Sequence, residues 1–256
     1  MNLAIIGAGN MGGATALGLA AALPELRITV TAKHAASLEK YAARGIAGTT
    51  DNLAAAKDAD VVVLAVKPWL AQGVLEELRP VLSGKVLVSF AAGIPAAQLQ
   101  AWLEGSGLAA AYTVIPNLAI EVAQSMSFIH EIFGTAETLA TVRSLFDAVG
   151  KTAVVDEKRL NAGMMLASCG TAFALRYVRA SAEGGVELGL YPGDSLEAVL
   201  QTVKGAVALL EAHGTHPEAE IDRVTTPGGI TIKGLNAMEE AGFSPAVIAG
   251  LKAWKP

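Results

Sequence analysis

The feature that most constrains the fold is the glycine-rich run GAGNMG at residues 7–12. It follows an apolar stretch at residues 3–6 and opens a helix-like stretch from Asn10 to Leu23. Glycines at such a turn let the backbone approach a pyrophosphate, which binds the free N–H groups at the helix start. The run therefore predicts a dinucleotide-binding turn, with candidate cofactor contacts at Ile6, Gly7, Ala8, Gly9, Asn10, Met11 and Gly12.

The first 155 residues alternate between short apolar runs and helix-like segments. Runs that are apolar throughout are typical of strands covered on both faces, as in a parallel sheet with βαβ connections. The fold class predicted is an α/β, Rossmann-like doubly wound domain over residues 1–155. Its strands are expected at 3–6, 27–30, 61–66, 85–90, 110–115, 125–129 and 152–155, and its helices at 10–23, 35–44, 69–79, 95–103 and 136–148.

Residues 156–256 carry no further strand pattern and predict an all-α domain. We expect one long helix over residues 157–183 and another from Asp194 to about 212, followed by helices at 230–241 and 245–254. Their apolar faces are wide, which indicates burial against a second subunit. The expected assembly is a homodimer or a higher homo-oligomer, with this region as a substrate and dimerisation domain.

Composition narrows the classes of partner and compartment. The 256 residues contain 19 Lys and Arg against 24 Asp and Glu, a net charge of −5 that argues against nucleic-acid and anionic-membrane binding. Cys169 is the only cysteine, so the chain has no intrachain disulfide and no multi-cysteine metal site, and we expect no metal. The apolar runs are shorter than the ~20 residues of a membrane span. We expect a cytoplasmic protein that acts on a small molecule.

Lysines follow the second and third predicted strands, at the edge of the sheet where we expect the cofactor to bind. After the second strand the chain reads Thr31-Ala32-Lys33-His34, with no acid to bind a ribose 2′-hydroxyl. Lys33 there favours a 2′-phosphate and hence NADPH, while NADH stays possible if Lys33 is only a solvated loop residue. The third strand ends at Lys67, whose cation we expect near the nicotinamide half of the cofactor or the substrate.

The segment from Thr225 to Leu235 predicts a carboxylate site. It reads TTPGGITIKGL, in which hydroxyls, a proline and a diglycine run directly into a predicted helix. Free N–H groups at a helix start attract an anion, and glycines permit its close approach to the backbone. The candidate substrate contacts are Thr226, Gly228, Gly229 and Thr231.

Several of these motifs together resemble the pyrroline-5-carboxylate reductase family. They are GAGNMG, the AVKP at residues 65–68, the VSFAAGIP at 88–95 and the TTPGG segment followed by Met238-Glu239. The resemblance implies NAD(P)H-dependent reduction of 1-pyrroline-5-carboxylate to L-proline, the last step of proline biosynthesis. It also implies a Rossmann domain followed by a helical dimerisation domain.

The resemblance also implies roles for single residues. Thr231 would hydrogen-bond the ring nitrogen, and the amides around Gly228 and Gly229 would hold the carboxylate. Asn52 would touch the cofactor ribose. The remaining assignments are Ala65, Val66, Lys67 and Pro68 to the cofactor, Asn117 to the substrate, and Thr231 and Lys67 to catalysis.

Two segments depart from the family pattern. Residues 113–119 keep Pro116 and Asn117 but lack the arginine, the methionine and the Thr-Pro expected there. Residues 167–173 lack an expected proline, and without it we expect the long helix to continue with less distortion.

These departures leave two rival functions open. One is a related NADP-dependent reductase of another imine, of a hydroxy acid or of a deazaflavin, and a hydroxy-acid enzyme would be expected to carry a general base in the helical domain. The other rival is a non-catalytic NADP-binding regulator, against which the intact Thr226–Thr231 segment argues.

Overall fold

The computed structural model describes residues 1–254, and the chain packs as two compact units, Met1–Ser168 and Cys169–Pro256. The first unit is built on an eight-stranded sheet. Its strands are β1 (Asn2–Ile6), β2 (Arg27–Thr31), β3 (Ala47–Thr49), β4 (Val61–Leu64), β5 (Val86–Ser89), β6 (Ala110–Ile115), β7 (Ser125–Phe133) and β8 (Gly150–Val154).

The strand order is β3-β2-β1-β4-β5-β6-β7-β8. All neighbouring pairs are parallel except β6 and β7, which are antiparallel. The order reverses between β1 and β4, because the chain first adds strands on one side of β1 and then crosses to the other. A crevice at the carboxyl ends of the strands on either side of such a reversal is where doubly wound sheets bind dinucleotides.

Helices cover both faces of this sheet. They are α1 (Asn10–Ala22), α2 (Glu39–Ala42), α3 (Asn52–Lys57), α4 (Pro68–Leu78), α5 (Ala96–Leu103), α6 (Ala136–Asp147) and α7 (Glu157–Gly163). Within β1, Leu3 and Ile5 join one apolar cluster, whereas Ala4 and Ile6 join the other. Alternate side chains thus enter two separate cores, which explains why the strand is apolar throughout. The predicted doubly wound α/β domain is confirmed.

The second unit is helical over its described residues. It consists of α8 (Gly170–Glu187), α9 (Pro192–His213), α10 (Pro217–Val224), α11 (Ile230–Glu240) and α12 (Phe243–Lys252). The buried Ser195 joins α9 to α8 by donating a hydrogen bond of 2.7 Å to the Ala182 carbonyl. Many large apolar side chains of this unit are exposed, among them Leu175, Leu196, Leu200, Val207 and Ile248. Of the helices described through residue 254, none has the length and apolarity that crossing a membrane requires.

Short elements account for most differences from the sequence prediction. The helix expected over residues 35–44 is a 3-10 turn, Ala35–Ser37, followed by the four-residue α2. The three-residue β3 was not predicted, and neither was α10. Both are too short, and β3 lacks the β-branched run by which strands are recognised.

The long helix predicted over residues 157–183 is wrong as a single element. A π-helix, Met164–Cys169, interrupts it between α7 and α8. Within this turn the Ala167 carbonyl accepts a hydrogen bond of 3.3 Å from Asn117 Nδ2, a partner 50 residues away in the chain. We expected the helix to continue with less distortion without a proline, and the structure still has a π-helical distortion at this point.

The first packing unit extends through residue 168, while the domain boundary predicted at 155/156 stays a prediction. The unit extends this far because α7 packs on the sheet, where Gly163 lies against the ring of Phe128 in β7. A Cβ at residue 163 would lie 2.7 Å from ring carbons of Phe128, so glycine is required for this close approach.

Candidate active site

The turn between β1 and α1 accepts only glycine at two positions. Gly7 has φ +104°, and a Cβ there would lie 2.8 Å from the Ala65 carbonyl oxygen. A Cβ on Gly12 would overlap the carbonyl oxygen of Gly7. Glycine at these positions therefore brings α1 down onto the turn and the turn onto the end of β4.

The same turn is tied to β2 and presents free amides. Thr31 accepts two hydrogen bonds from it, from Gly7 N to Oγ1 at 3.1 Å and from Ala8 N to the carbonyl at 2.6 Å. The first bond within α1 runs from Gly13 N to the Gly9 carbonyl at 2.8 Å, so the amides of residues 10–12 have no intrahelical acceptor.

The space in front of these amides suits a pyrophosphate. Gly9, the N-cap residue, supplies no side-chain cap, and the first turn of α1 contains no acid. A Cβ at Gly9 would meet no atom within 4 Å. This open cradle at a helix N-terminus fits the diphosphate of a dinucleotide.

A cavity of about 320 Å³ adjoins this cradle at the carboxyl ends of β1 and β2. It is lined by Ile6, Gly7, Thr31, Ala32, Lys33, Thr50, Asn52 and Val66. The structure thus brings together five of the predicted cofactor residues, which are Ile6, Gly7, Lys33, Asn52 and Val66. The sequence prediction omitted Thr31, Ala32 and Thr50, although Thr31 and Ala32 directly precede Lys33.

The charge of this cavity suits a phosphate. Among the described residues that line the cavity, Lys33 alone is charged, and its side chain is exposed just beyond the end of β2. Asn52 opens α3 and donates a hydrogen bond of 3.2 Å from Nδ2 to Glu77 Oε2, which leaves Oδ1 as an acceptor. Lysine with no lining carboxylate fits a ribose that carries a 2′-phosphate.

Ala65, Val66, Lys67 and Pro68 continue from the end of β4, as predicted. Lys67 is the N-cap residue of α4 and Pro68 occupies its first turn, where the missing N–H costs nothing. The Lys67 side chain is exposed, one residue beyond the lining residue Val66. Its position at the carboxyl edge of the sheet agrees with a place along the cofactor crevice.

Asn117 has a structural role in the first unit. The residue is 8% exposed, its Nδ2 donates to the Ala167 carbonyl, and its Oδ1 accepts from Ala119 N at 3.0 Å. Its backbone N–H donates to Ser125 Oγ at 3.2 Å. Both polar atoms of the side chain therefore make a hydrogen bond within the fold.

The predicted carboxylate segment forms a turn and a helix start in the second unit. Gly229 N donates to the Thr226 carbonyl at 2.9 Å, and Gly228 between them has φ +71°. Gly229 is the N-cap residue of α11, which has no side-chain cap and no acid in its first turn. The amides of residues 230–232 are therefore available to an anion.

The hydroxyl groups of the same segment lie close to this anion site. Thr231 is exposed one residue into α11. A Cβ at Gly229 would lie 2.5 Å from Thr226 Oγ1, so this hydroxyl closes on the turn. The segment combines hydroxyl donors with free amides, the groups that would hold a polar ring and its carboxylate.

Comparisons with known proteins cover nearly the whole chain. Residues 157–255 match the family model for pyrroline-5-carboxylate reductase dimerisation, and residues 2–93 match that for NADP oxidoreductase, coenzyme F420-dependent. Pyrroline-5-carboxylate reductase 2 of Dictyostelium discoideum is 32% identical, with 98% of this chain and 89% of the relative covered. The pyrroline-5-carboxylate reductase of Arabidopsis thaliana is 36% identical over 96% of this chain and 92% of that protein.

The fold also matches a solved structure. The crystal structure of Plasmodium falciparum pyrroline carboxylate reductase, which has NADP bound, superposes with a TM-score of 0.89 at 25% identity. The match covers 99% of this chain and 95% of the other.

Proposed function

The chain belongs to the pyrroline-5-carboxylate reductase family, and from this premise we propose that it reduces 1-pyrroline-5-carboxylate to L-proline with NADPH. It is an oxidoreductase that acts on a CH–NH group, and the reaction completes proline biosynthesis. The observation that carries the assignment to this site is the uncapped start of α11 behind Gly228 and Gly229.

Different residues along the crevice bind different parts of the cofactor. The free amides of residues 10–12 bind the diphosphate, and Gly7, Gly9 and Gly12 let it approach the backbone. Lys33 pairs with the 2′-phosphate, while Asn52 Oδ1 accepts from a ribose hydroxyl. Ala65, Val66, Lys67 and Pro68 line the crevice beyond β4. NADPH bound here supplies the hydride.

The substrate residues hold and orient the imine. The amides around Gly228 and Gly229 and the Thr226 hydroxyl bind the carboxylate, and the Thr231 hydroxyl hydrogen-bonds the ring nitrogen. A hydride, two electrons with one proton, adds to the imine carbon, the C=N bond becomes a single bond, and nitrogen carries the second proton as an amine. A protonated imine is already electrophilic, so orientation and electrostatics suffice and no covalent nucleophile is needed.

Lys67 and Asn117 complete the proposed set. Lys67 places a cation at the carboxyl end of β4, toward the half of the crevice where hydride transfer occurs. For Asn117 we propose a place beside the substrate, although both polar atoms of its side chain bond within the fold. Residues 1–155 serve cofactor binding, and residues 156–256 serve substrate binding and dimerisation.

The proposed assembly is a homodimer or a higher homo-oligomer. Its support is the match of residues 157–255 to a dimerisation family model, together with the exposed apolar side chains of α8, α9 and α12.

The net charge of −5 supports the absence of nucleic-acid binding. We place the protein in the cytoplasm, where a single cysteine suits the reducing environment.

The direct experiment measures NADPH oxidation at 340 nm with 1-pyrroline-5-carboxylate, with NADH in parallel and L-proline determined as product. We expect proline to form in step with NADPH consumption. In Thr231→Ala we expect kcat/KM to fall about 100-fold, because a hydrogen bond to the reacting nitrogen is lost.

Thr141→Ala is the matched control, because within the described part of the chain its hydroxyl bonds only the Glu137 carbonyl of its own helix, at 3.1 Å. NADPH binding without oxidation in the wild type would contradict the reaction and favour a regulator. Oxidation with other imines or hydroxy acids alone would contradict the substrate.

A further inference from the structure

We propose that Glu220 is a positioning residue for the substrate loop, defined here as residues 225–229. It acts by tying α10 to the end of α9, so that the loop leaves α10 at a fixed point. The inference rests on the proposed function of this loop in binding the imine carboxylate.

The Glu220 carboxylate is the centre of a polar cluster between the two helices. Its Oε1 accepts a hydrogen bond of 2.6 Å from Thr215 Oγ1 and lies 3.0 Å from His213 Nδ1. Its Oε2 accepts a hydrogen bond of 2.7 Å from an Arg223 guanidinium nitrogen. The Glu220 side chain is only 12% exposed, although Arg223 is 60% exposed. One carboxylate thus joins the last residue of α9, the interhelix loop and the final turn of α10.

The hydrogen bonds stabilise the ionised form of this carboxylate. Donation from Thr215 and then from His213 lowers the pKa of Glu220 below its ordinary value. His213 Nδ1 also lies 3.0 Å from the Arg223 guanidinium, and since one ring nitrogen either donates or accepts, it bonds one of the two at a time. Glu220 keeps the other donors in either case.

Few apolar contacts compete with this cluster in fixing the position of α10, in which Ile221 is only partly buried. None of the eight residues of α10 is buried. The helix therefore lacks the core contacts that fix most helices in place. Around it, Gly214 ends α9 with φ +62° and the His216 side chain accepts from Glu218 N at 3.3 Å. These local caps shape the ends of α9 and α10, whereas the Glu220 cluster joins the two helices through side-chain hydrogen bonds.

The loop follows α10 without a flexible spacer. Thr225 N and Oγ1 both donate to the Asp222 carbonyl, at 3.4 and 3.2 Å. The turn bond from Gly229 N to the Thr226 carbonyl comes next, and α11 starts at Ile230. A shift of α10 is therefore carried directly into the amides proposed to hold the carboxylate.

A loop that holds a carboxylate binds the substrate and the transition state alike. Loss of its position then raises KM and leaves kcat nearly unchanged. For Glu220→Gln we expect KM for 1-pyrroline-5-carboxylate to rise about 10-fold, with kcat and KM for NADPH within about twofold. Thr215→Val should raise the same KM about fivefold, and Thr215→Ser, which keeps the hydroxyl, should restore it.

Glu218→Gln is the matched control, since it removes the same charge from the same helix and its side chain bonds no residue in the described part of the chain. It should leave every kinetic constant within about twofold of wild type. A fall in kcat with unchanged KM in Glu220→Gln would overturn the proposal. So would a failure of Thr215→Ser to restore KM.

Amide hydrogen exchange in the full-length protein separates this inference from the proposed function. Glu220→Gln should speed exchange at residues 225–229 and leave residues 10–12 unchanged, whatever the substrate proves to be. Unchanged exchange at residues 225–229 would overturn the positioning role. A wild type that is inactive on 1-pyrroline-5-carboxylate would instead overturn the proposed function, while the exchange result would still decide the role of Glu220.

Discussion

The two glycine turns of this chain both lead into a helix with free amides, but different contacts hold each turn in place. Residues 7–12 and residues 226–231 both lead a turn into a helix whose first amides lack a side-chain cap. In the first turn, an added Cβ at Gly7 or Gly12 would meet backbone atoms. In the second, a Cβ at Gly228 would meet nothing within 4 Å. The cofactor turn is held by surrounding backbone, whereas the substrate turn is held by its own helix ends.

This difference separates two ways of building an anion site. Close backbone contacts with β2 and β4 leave the cofactor turn one conformation, so its amides are positioned before any ligand binds. The substrate turn depends on φ +71° at Gly228 and on the polar cluster around α10. Side chains added at Gly7 or Gly12 of the first turn should therefore damage the fold, whereas one added at Gly228 of the second should damage recognition.

The largest effect is expected for Gly12→Ala, which would force the carbonyl of Gly7 to move. We expect about 2–4 kcal/mol of lost stability and at least about 100-fold weaker NADPH binding, because backbone overlap cannot relax by a rotamer change. Thermal unfolding and an NADPH titration measure both quantities. Gly9→Ala, whose Cβ would meet open space, should weaken binding about 10-fold with stability nearly unchanged. An equal loss of stability in Gly12→Ala and Gly9→Ala would contradict the claim that backbone overlap at Gly12 causes the loss.

Next in size is Gly228→Ala in the substrate turn. Alanine at φ +71° costs about 1 kcal/mol, and relief of that strain displaces the amides, so KM for 1-pyrroline-5-carboxylate should rise about 10-fold. Steady-state kinetics should show an unchanged KM for NADPH. Gly73→Ala within α4 has equal open space without a positive φ and should leave the kinetics as they are. A loss of NADPH affinity in Gly228→Ala would contradict the separation of the two turns.

A smaller effect tests the charge of the cofactor cavity. Lys33→Met should raise KM for NADPH about 5- to 10-fold and hardly change that for NADH, because only NADPH carries the 2′-phosphate. Lys158→Met, an exposed lysine of α7, is the charge-matched control. If NADH were affected as strongly as NADPH, Lys33 would not be the 2′-phosphate contact.

The smallest effect concerns a turn residue that has a positive φ, as Gly228 does, but is not glycine. Ala123 has φ +56° and is exposed, and it is the one non-glycine residue with positive φ in the described chain. Ala123→Gly should raise the unfolding free energy by about 0.5–1 kcal/mol, because glycine removes the Cβ strain. Ala43→Gly, at φ −64°, should instead lower it. Urea unfolding of both variants tests the cost assigned to a side chain at Gly228.

The sequence predicted the parts of the fold that depend on local pattern. The β1–turn–α1 unit was correct because its apolar run and glycines are contiguous. The π-helix at residues 164–169 could not be predicted, since nothing in its local pattern marks it and the hydrogen bond that one of its carbonyls accepts comes from Asn117, distant in sequence. Helix α10 was missed because Ile221 and Val224 are its only large apolar residues, too few for a helical period.

The candidate site, too, could be predicted only where local sequence pattern marks its residues. Lys33 and Asn52 were named from spacing and resemblance, and the structure brings them to one cavity. Thr31 was not selected, because its role, accepting from Gly7 N, becomes visible only once β2 lies beside β1. Asn117 was placed at the substrate by motif alone, whereas its side-chain bonds lie within the fold.

The most direct test of the central claim is a pair of equilibrium titrations of Gly228→Ala and wild type, one with NADPH and one with L-proline. The account predicts that proline affinity falls about 10-fold and that NADPH affinity is unchanged. Equal losses for both ligands, or a loss for NADPH alone, would contradict the claim that residues 226–231 bind the substrate while residues 7–12 bind the cofactor.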